Sequence, residues 1–275
     1  MNMLETLYRR YCAIVYMSSN SYEEETMKIH EFGTNGKEAV ILIHPSLVSW
    51  DYFEYVIPLL AKDYHVLVPV LPGYDLEDHS EFTSIEEIAS ELEAEILKRN
   101  ITRIHAVYGC SMGGSIVLRM AADRKLNVSH YIMDGGITPY QLPWLLTRVI
   151  AVRDFALMAF GKLGGEKLMA RAFSSTDYSK EDLEYVAGVM KHCSYRTLWN
   201  TFDSCNNYRM PKEPMKFDGV MHYWYAQKER KARDWDIRYM KKYVPDTVFS
   251  EFSGTDHGDL AAFYPERFAD EIRKL

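Results

Sequence analysis

Short apolar runs alternate with longer helical patterns along this chain. Strands buried on both faces of a parallel sheet read as continuous apolar runs, whereas helices show apolar residues three and four positions apart. The alternation predicts an α/β fold, a mostly parallel sheet of about eight strands flanked by helices. Six strands are predicted at residues 39–44, 65–71, 104–109, 131–134, 220–226 and 248–252. An additional edge strand is predicted at residues 26–32, and the turn pattern at 34–37 predicts that it forms a hairpin.

Three helices are predicted between and after these strands. Ser84 and Glu87 form the pattern of a capping box at the start of one helix. Its apolar face carries Ile85, Ile88, Leu92 and Ile96. A second helix is predicted from Met112 to about residue 124, and a closing helix over residues 259–274.

From residue 137 to about residue 213 the pattern stays helical, without strand-like alternation. The strand pattern resumes at Val220, so we expect a helical cap that interrupts a single domain spanning residues 1–275. This cap is expected over the carboxyl edge of the sheet. Its aromatic and methionine side chains suit either its own core or an apolar part of a substrate, and they include Trp144, Phe155, Met158, Phe160 and Trp199.

Residues 1–20 predict an N-terminal amphipathic helix. Its apolar positions recur at helical spacing and are Leu4, Leu7, Tyr8, Tyr11, Ile14 and Val15. Arg9 and Arg10 precede a short apolar stretch, but no small-residue cleavage site follows, which disfavours a signal peptide. No window reaches the roughly 18 apolar residues of a membrane span, so no stable membrane insertion is expected. Packing on its own domain is favoured for this helix, with a membrane or a partner as the alternative.

Composition narrows the class of protein. The chain of 275 residues is 47% hydrophobic and 26% charged, as in ordinary soluble globular proteins. Its net charge of −7 disfavours nucleic acid as a partner. The four cysteines lie far apart without a CxxC pair, which argues against a zinc site or a disulfide framework and favours a cytoplasmic location. No cofactor or metal is expected.

The stretch VYGCSMGG, at residues 107–114, places Ser111 between a predicted strand and a predicted helix. A GxSxG match alone is weak, because it also occurs by chance, so its context between a strand and a helix carries the interpretation. A sharp strand-to-helix turn exposes a nucleophilic hydroxyl at the sheet edge, and the glycines at 109, 113 and 114 leave room for such a turn. An ordinary serine that caps a helix is the alternative.

A serine hydroxyl needs a base to take its proton, and the base needs an acid to orient it. Of nine histidines, His257 follows the last predicted strand on a turn of small and polar residues. Glu229 lies just after the preceding strand and is favoured as the acid by chain order. Asp134, at the end of the strand that follows the serine's helix, is the alternative acid. Asp234 and Asp236 rank below it.

Two backbone N–H groups are expected to hold the oxyanion that forms during acyl transfer. Met112, the residue after the serine, supplies one of them. The turn at residues 44–49 supplies the other. Pro45 has no N–H, so Ser46 is favoured and Leu47 is the alternative.

The motifs HPS, LPGYD, GCSMG, QKE and DHG occur in this order, and with them the chain resembles the α/β-hydrolase superfamily of serine hydrolases with a helical cap. The resemblance covers residues 37–275, interrupted by the cap, and implies a triad of Ser111, Glu229 and His257. This sequence departs from the family pattern at two positions. In the oxyanion loop the family usually has His-Gly, where this chain has His44-Pro45. The acid of the family is commonly Asp, whereas the acid favoured here is Glu229. A serine nucleophile disfavours the haloalkane dehalogenase and epoxide hydrolase branches, which use an aspartyl ester.

The expected activity is cofactor-independent hydrolysis of an ester, thioester or amide bond in a small, partly apolar substrate, through an acyl-enzyme. The same fold can also bind a small molecule as a receptor or scaffold with slow or no turnover. A carbon–carbon bond hydrolase or lyase that uses the same triad is a third possibility. The sequence leaves the physiological substrate and the oligomeric state open.

Overall fold

A seven-stranded sheet forms the centre of the computed structural model. Its strands are β1 (Ile29–Phe32), β2 (Ala39–Ile43), β3 (His65–Pro69), β4 (Ile104–Cys110), β5 (Val128–Asp134), β6 (Val220–Ala226) and β7 (Val248–Phe252). Their order across the sheet is β1-β3-β2-β4-β5-β6-β7. Every neighbouring pair is parallel except β1 and β3, which run antiparallel.

Helices connect most of these strands. They are a 3-10 helix (Trp50–Phe53) and α1 (Ile57–Leu60), α2 (Ile85–Lys98), α3 (Met112–Asp123), α4 (Trp144–Ala172), α5 (Lys180–His192), α6 (Tyr195–Asn207), α7 (Asp234–Tyr243), α8 (Asp259–Phe263) and α9 (Pro265–Arg273). The structure describes residues 27–34, 36–172 and 179–275, with side chains in α4 up to residue 164. The predicted helix over residues 1–20 lies outside these residues and stays a prediction.

The predicted α/β fold class is confirmed. All six predicted parallel strands are present, and β6 and β7 have the predicted bounds. The described residues contain seven strands, where the pattern predicted about eight. The predicted capping interaction is also present in α2, where the Ser84 hydroxyl accepts a hydrogen bond from the Glu87 N–H at 3.2 Å.

The predicted hairpin between the first two strands is wrong. β1 is an edge strand, but it pairs with β3, with Ile29 opposite Pro69. β2 is buried along its whole length and lies between β3 and β4, so it has no free edge for β1. Most of β1 is only partly buried, which suits a strand at the edge of a sheet.

The predicted closing helix is divided in two. α8 ends at Phe263, and α9 begins at Pro265. Proline lacks the N–H that would continue the first helix, but it fits the first position of a new one.

Helices cover both faces of the sheet. Successive residues of β2 face opposite cores, with Ile41 in one and Leu42 in the other. The first core includes apolar side chains of α2 and α3, and the second includes those of α1 and α9. In the second core the Phe268 ring meets the Tyr108 ring edge to face, with centroids 4.7 Å apart. Because β2 to β7 are all parallel, their carboxyl ends lie at the same edge of the sheet.

Three helices, α4, α5 and α6, form the connection from β5 to β6. α4 packs against both α5 and α6. α6 also contacts the segment around α2, because the Thr201 hydroxyl lies 2.8 Å from the Tyr74 hydroxyl and the Ile85 N–H donates to Ser204 Oγ at 2.8 Å. In the part of the chain that the structure describes, no helix is long and apolar enough to cross a membrane.

Candidate active site

Ser111 occupies a one-residue turn between β4, which ends at Cys110, and α3, which begins at Met112. Its φ of 52° lies in the left-handed region, where residues other than glycine are strained. Its N–H donates to the Asp134 carbonyl oxygen at 2.8 Å, which ties the turn to the end of β5. The Ser111 side chain therefore stands at the carboxyl edge of the sheet, on a turn that the neighbouring strand holds in place.

The glycines around Ser111 allow three backbone segments to approach closely. A Cβ at Gly109 would lie 2.2 Å from the Gly113 carbonyl oxygen. At Gly113 it would lie 2.4 Å from the Ile43 carbonyl oxygen of β2. At Gly114 it would lie 2.7 Å from the Gly136 Cα. Side chains at these positions would force α3 away from the strands and open the turn.

His257 and Glu229 are joined by a hydrogen bond. His257 lies in the loop after β7, and Glu229 lies in the turn after β6, so the parallel pairing of these strands brings both to the same edge. His257 Nδ1 is 2.7 Å from Glu229 Oε2. The other carboxylate oxygen, Oε1, accepts from the Ala226 N–H at 3.1 Å. The Glu229 side chain is 6% exposed and the His257 side chain 40%, so the acid is buried behind a ring that solvent reaches.

Arg233 stands behind this pair. Its Nε lies 3.3 Å from Glu229 Oε2, and its Nη1 donates to the Gly135 carbonyl oxygen at 3.0 Å. Nη1 also lies 3.4 Å from the Asp236 carboxylate. This cation compensates two buried carboxylates and fixes the turn that carries Glu229.

The hydrogen bond shifts the pKa values of both partners. Burial raises the pKa of Glu229, but the hydrogen bond and charge of His257 and the charge of Arg233 outweigh burial, so its pKa is lowered. Burial lowers the pKa of His257, but the hydrogen bond and negative charge of Glu229 outweigh it, so its pKa is raised. Glu229 is therefore ionised at neutral pH, and His257 is a stronger base than an ordinary histidine.

Asp134, the alternative acid, is oriented elsewhere. Its Oδ2 accepts from the Tyr108 hydroxyl at 2.6 Å. Burial raises the pKa of Asp134 to about 6, opposed by the Tyr108 hydrogen bond and reinforced by the charge of Glu229. Of the lower-ranked acids, Asp234 pairs with Arg230, and Asp236 accepts from Thr138 at 2.8 Å. The structure thus places the Glu229 carboxylate, and not that of Asp134, against the imidazole.

The turn after β2 brings Ser46 and Leu47 to the same edge. Ile43 pairs with Gly109, so this turn lies beside the start of α3 and Met112. His44 is fully buried; its ring nitrogens lie 2.8 Å from the Pro45 carbonyl oxygen and 3.3 Å from the Leu71 nitrogen, whose N–H donates to the ring. Burial lowers the pKa of His44 to about 4, so the ring is neutral and can donate and accept at once.

Gly135 makes room for the imidazole, and sequence reasoning missed it. Its φ is 55°, and an added Cβ would lie 2.7 Å from His257 Nδ1 and Cε1 and 2.9 Å from Glu229 Oε1. The signal that could have found it is the Gly135-Gly136 pair directly after a predicted strand. Residues larger than glycine would occupy the place of the His257 ring.

Two tyrosines also contact the edge of the site, and no sequence pattern indicated them. Tyr185 of α5 accepts a hydrogen bond from the Ser49 N–H at 2.9 Å and donates to Asp51. Tyr52 donates to the Gly258 carbonyl oxygen next to His257. The first contact links the helical connection to the turn after β2, and the second positions the histidine loop.

The aromatic and methionine residues predicted for the helical connection divide into two groups. Phe155, Met158 and Trp199 contribute to its packing, with the rings of Phe155 and Trp199 5.5 Å apart. Trp144 and Phe160 are exposed. The described residues contain no group of three or more His, Cys, Asp or Glu side chains that could hold a metal ion.

Comparisons with known proteins agree with this fold. The family described as "Alpha/beta hydrolase family" matches residues 40–271. An α/β-hydrolase family protein from Desulfitobacterium hafniense has a TM-score of 0.69 and 20% identity over 90% of this chain and 99% of its own. MenH from S. aureus has a TM-score of 0.70 and 16% identity, covering 91% and 97%. A thermophilic esterase from Thermogutta terrifontis has a TM-score of 0.70 and 15% identity, covering 90% and 92%.

The fold is that of an α/β-hydrolase. The family match spans most of the sequence, from β2 to α9. The chain belongs to the α/β-hydrolase family, as its motifs indicated.

Proposed function

We propose that this protein is a serine hydrolase that cleaves an ester, thioester or amide bond in a small, partly apolar substrate. The observation that carries the proposal is the 2.7 Å hydrogen bond between His257 and Glu229, at the sheet edge that also holds the Ser111 turn. A buried acid, an imidazole and a serine on a strained turn are the parts that nucleophilic catalysis by serine requires.

In the proposed mechanism, His257 Nε2 takes the proton of Ser111 as its oxygen attacks the substrate carbonyl carbon. Glu229 holds His257 through Nδ1 and stabilises the imidazolium that forms. The tetrahedral intermediate collapses, and His257 gives the proton to the leaving group. Water then attacks the acyl-enzyme with His257 again as base, which releases the acid and restores Ser111.

The N–H groups of Met112 and Ser46 hold the oxyanion in this mechanism. Each donor of this kind is worth about 3 to 4 kcal/mol of the barrier. Support comes from the position of both residues at the same edge and from the buried His44 ring, which fixes the Pro45 carbonyl and hence the path of the turn. We assign α4, α5 and α6 the role of a cap that encloses the substrate, supported by the contact of Tyr185 with the turn at Ser49.

A fluorophosphonate probe tests the proposal, because it forms a covalent bond only with an activated serine. We expect labelling of Ser111 in the folded protein and none in Ser111→Ala, while the surface variant Ser253→Ala labels as the parent does. Hydrolysis of p-nitrophenyl esters of graded chain length then measures the size of the acyl pocket. A folded parent that neither labels nor hydrolyses any ester would refute the proposal.

A further inference from the structure

One face of α4 is apolar and exposed to solvent, and we refer to it as the outer face of α4. Seven large apolar side chains on this face are between 50 and 74% exposed: Leu145, Leu146, Val149, Val152, Leu157, Phe160 and Leu163. The opposite side, with Ala151, Phe155 and Met158, packs toward the protein. At 1.5 Å per residue the outer face is about 27 Å long. Soluble monomers seldom leave an apolar strip of this size uncovered.

Met27, the first described residue, lies on the side of the protein that carries α4. β1 runs antiparallel to β3, and the Val70 N–H donates to the Lys28 carbonyl oxygen at 2.9 Å. Met27 therefore lies beside the carboxyl end of β3, at the sheet edge from which the helical connection rises.

A short path of contacts leads from this point to α4. Lys28 pairs with Glu77. One residue further on, the Asp78 carbonyl oxygen lies 2.9 Å from Nε2 of His192, at the end of α5. The neighbouring Lys191 carbonyl accepts from Lys162 of α4 at 3.0 Å. Met27, the first described residue, is thus connected through these contacts to the part of α4 that carries Phe160 and Leu163.

We propose that residues 1–20 form an amphipathic helix that covers the outer face of α4. A helix of 20 residues is about 30 Å long, which matches the face, and residues 21–26 can span up to about 20 Å as a linker. The apolar positions from Leu4 to Val15 form a single stripe of the kind that packs on another helix. Since the linker lies at the Leu163 end, the two helices run parallel, with Leu4 near Val149. This proposal is independent of the chemistry at Ser111.

Cross-linking in the full chain tests this arrangement. Cys12 belongs to the segment, and the three described cysteines, Cys110, Cys193 and Cys205, are buried. In the parallel alignment Cys12 lies near Ala156, in the middle of the outer face. We expect a short bis-maleimide to cross-link Cys12 within one chain to a cysteine in Ala156→Cys. The matched control Arg103→Cys, at the opposite edge of the sheet, is expected to give no intramolecular product.

Charge substitution in the segment provides the second measurement. Leu7→Asp together with Tyr11→Asp is expected to expose the outer face and raise the fluorescence of a bound apolar dye about threefold or more. The control Arg9→Asp changes the polar side of the segment and leaves the dye signal unchanged. Cross-links only between two chains would assign the face to a second copy. A dye signal that is low only when phosphatidylglycerol vesicles are present would assign the face to a lipid surface. Either result overturns the proposal.

Discussion

A methyl group at residue 135 would compete with the His257 ring for the same space. The Cβ of an alanine there lies 2.7 Å from His257 Nδ1 and Cε1, and 2.9 Å from Glu229 Oε1. Carbon contacts are ordinarily about 3.5 to 4.0 Å, so the ring must move by about 1 Å. A misplacement of that size costs about 100-fold in rate when the group takes part in the chemistry. Gly135→Ala is therefore expected to lower kcat/KM about 100-fold.

The same substitution also strains the backbone, so stability must be measured separately. Gly135 has a φ of 55°, where an alanine costs about 1 to 2 kcal/mol, or a few degrees of Tm. Gly36 has a φ of 98°, but an added Cβ there meets nothing within 4 Å. Gly36→Ala is thus a matched control that loses stability and keeps activity. The assays are p-nitrophenyl ester hydrolysis and thermal unfolding of both variants beside the parent.

Two outcomes would refute this reasoning. A folded Gly135→Ala that keeps kcat/KM within about threefold of the parent would show that the position of the His257 ring does not matter for the reaction. An equal loss of activity in Gly36→Ala would show that loss of stability alone explains the effect.

Further predictions concern the acid, the pH dependence and the link to the helical connection. Glu229→Gln is expected to lower kcat about 10³- to 10⁴-fold in ester hydrolysis, because the imidazolium loses its counter-charge. Asp134→Asn is expected to keep activity within about tenfold, because an amide oxygen can still accept the hydrogen bond from the tyrosine beneath it. The plot of kcat/KM against pH should rise with a midpoint above 6.5, since Glu229 raises the pKa of His257 and the base must be neutral. The stabilisation from this pair should be largest between pH 4.5 and 6.5. This stabilisation is lost when the pH rises through the raised pKa of His257, and also when the pH drops through the lowered pKa of Glu229. Thermal unfolding of the parent and of Glu229→Gln, measured across this pH range, tests the expectation. Tyr185→Phe should cost about 0.5 to 1.5 kcal/mol in the free energy of unfolding by urea and lower kcat/KM, because the N–H of Ser49 loses its acceptor.

Each of these predictions has a contrary result. A larger loss in Asp134→Asn than in Glu229→Gln would make Asp134 the acid. A midpoint below 6.5, or a parent whose advantage over Glu229→Gln grows toward alkaline pH, would contradict the raised pKa of His257. Unchanged unfolding and activity in Tyr185→Phe would show that the contact with Ser49 is unimportant in solution.

The sequence by itself determined the local elements and the place of the serine. Strand β6 was predicted with its bounds because a parallel strand covered on both faces reads as an apolar run, and every residue of β6 after Val220 is buried. The turn at Ser111 was predicted because the GxSxG pattern falls between a predicted strand and a predicted helix, where the glycines at 109 and 113 leave room for a tight turn. His257 was selected from nine histidines because chain order places it after the last strand.

Only the tertiary structure decided which groups meet across that edge. Chain order left Asp134 open beside Glu229, and the register of β5, β6 and β7 directs one carboxylate to Tyr108 and the other to the imidazole. The partner of β1 and the role of Gly135 likewise depend on strands far apart in sequence. A local pattern records which face of an element is buried, but the neighbour it is buried against is set by long-range packing. For that reason the sequence located the candidate serine, and only the folded sheet showed which carboxylate contacts His257.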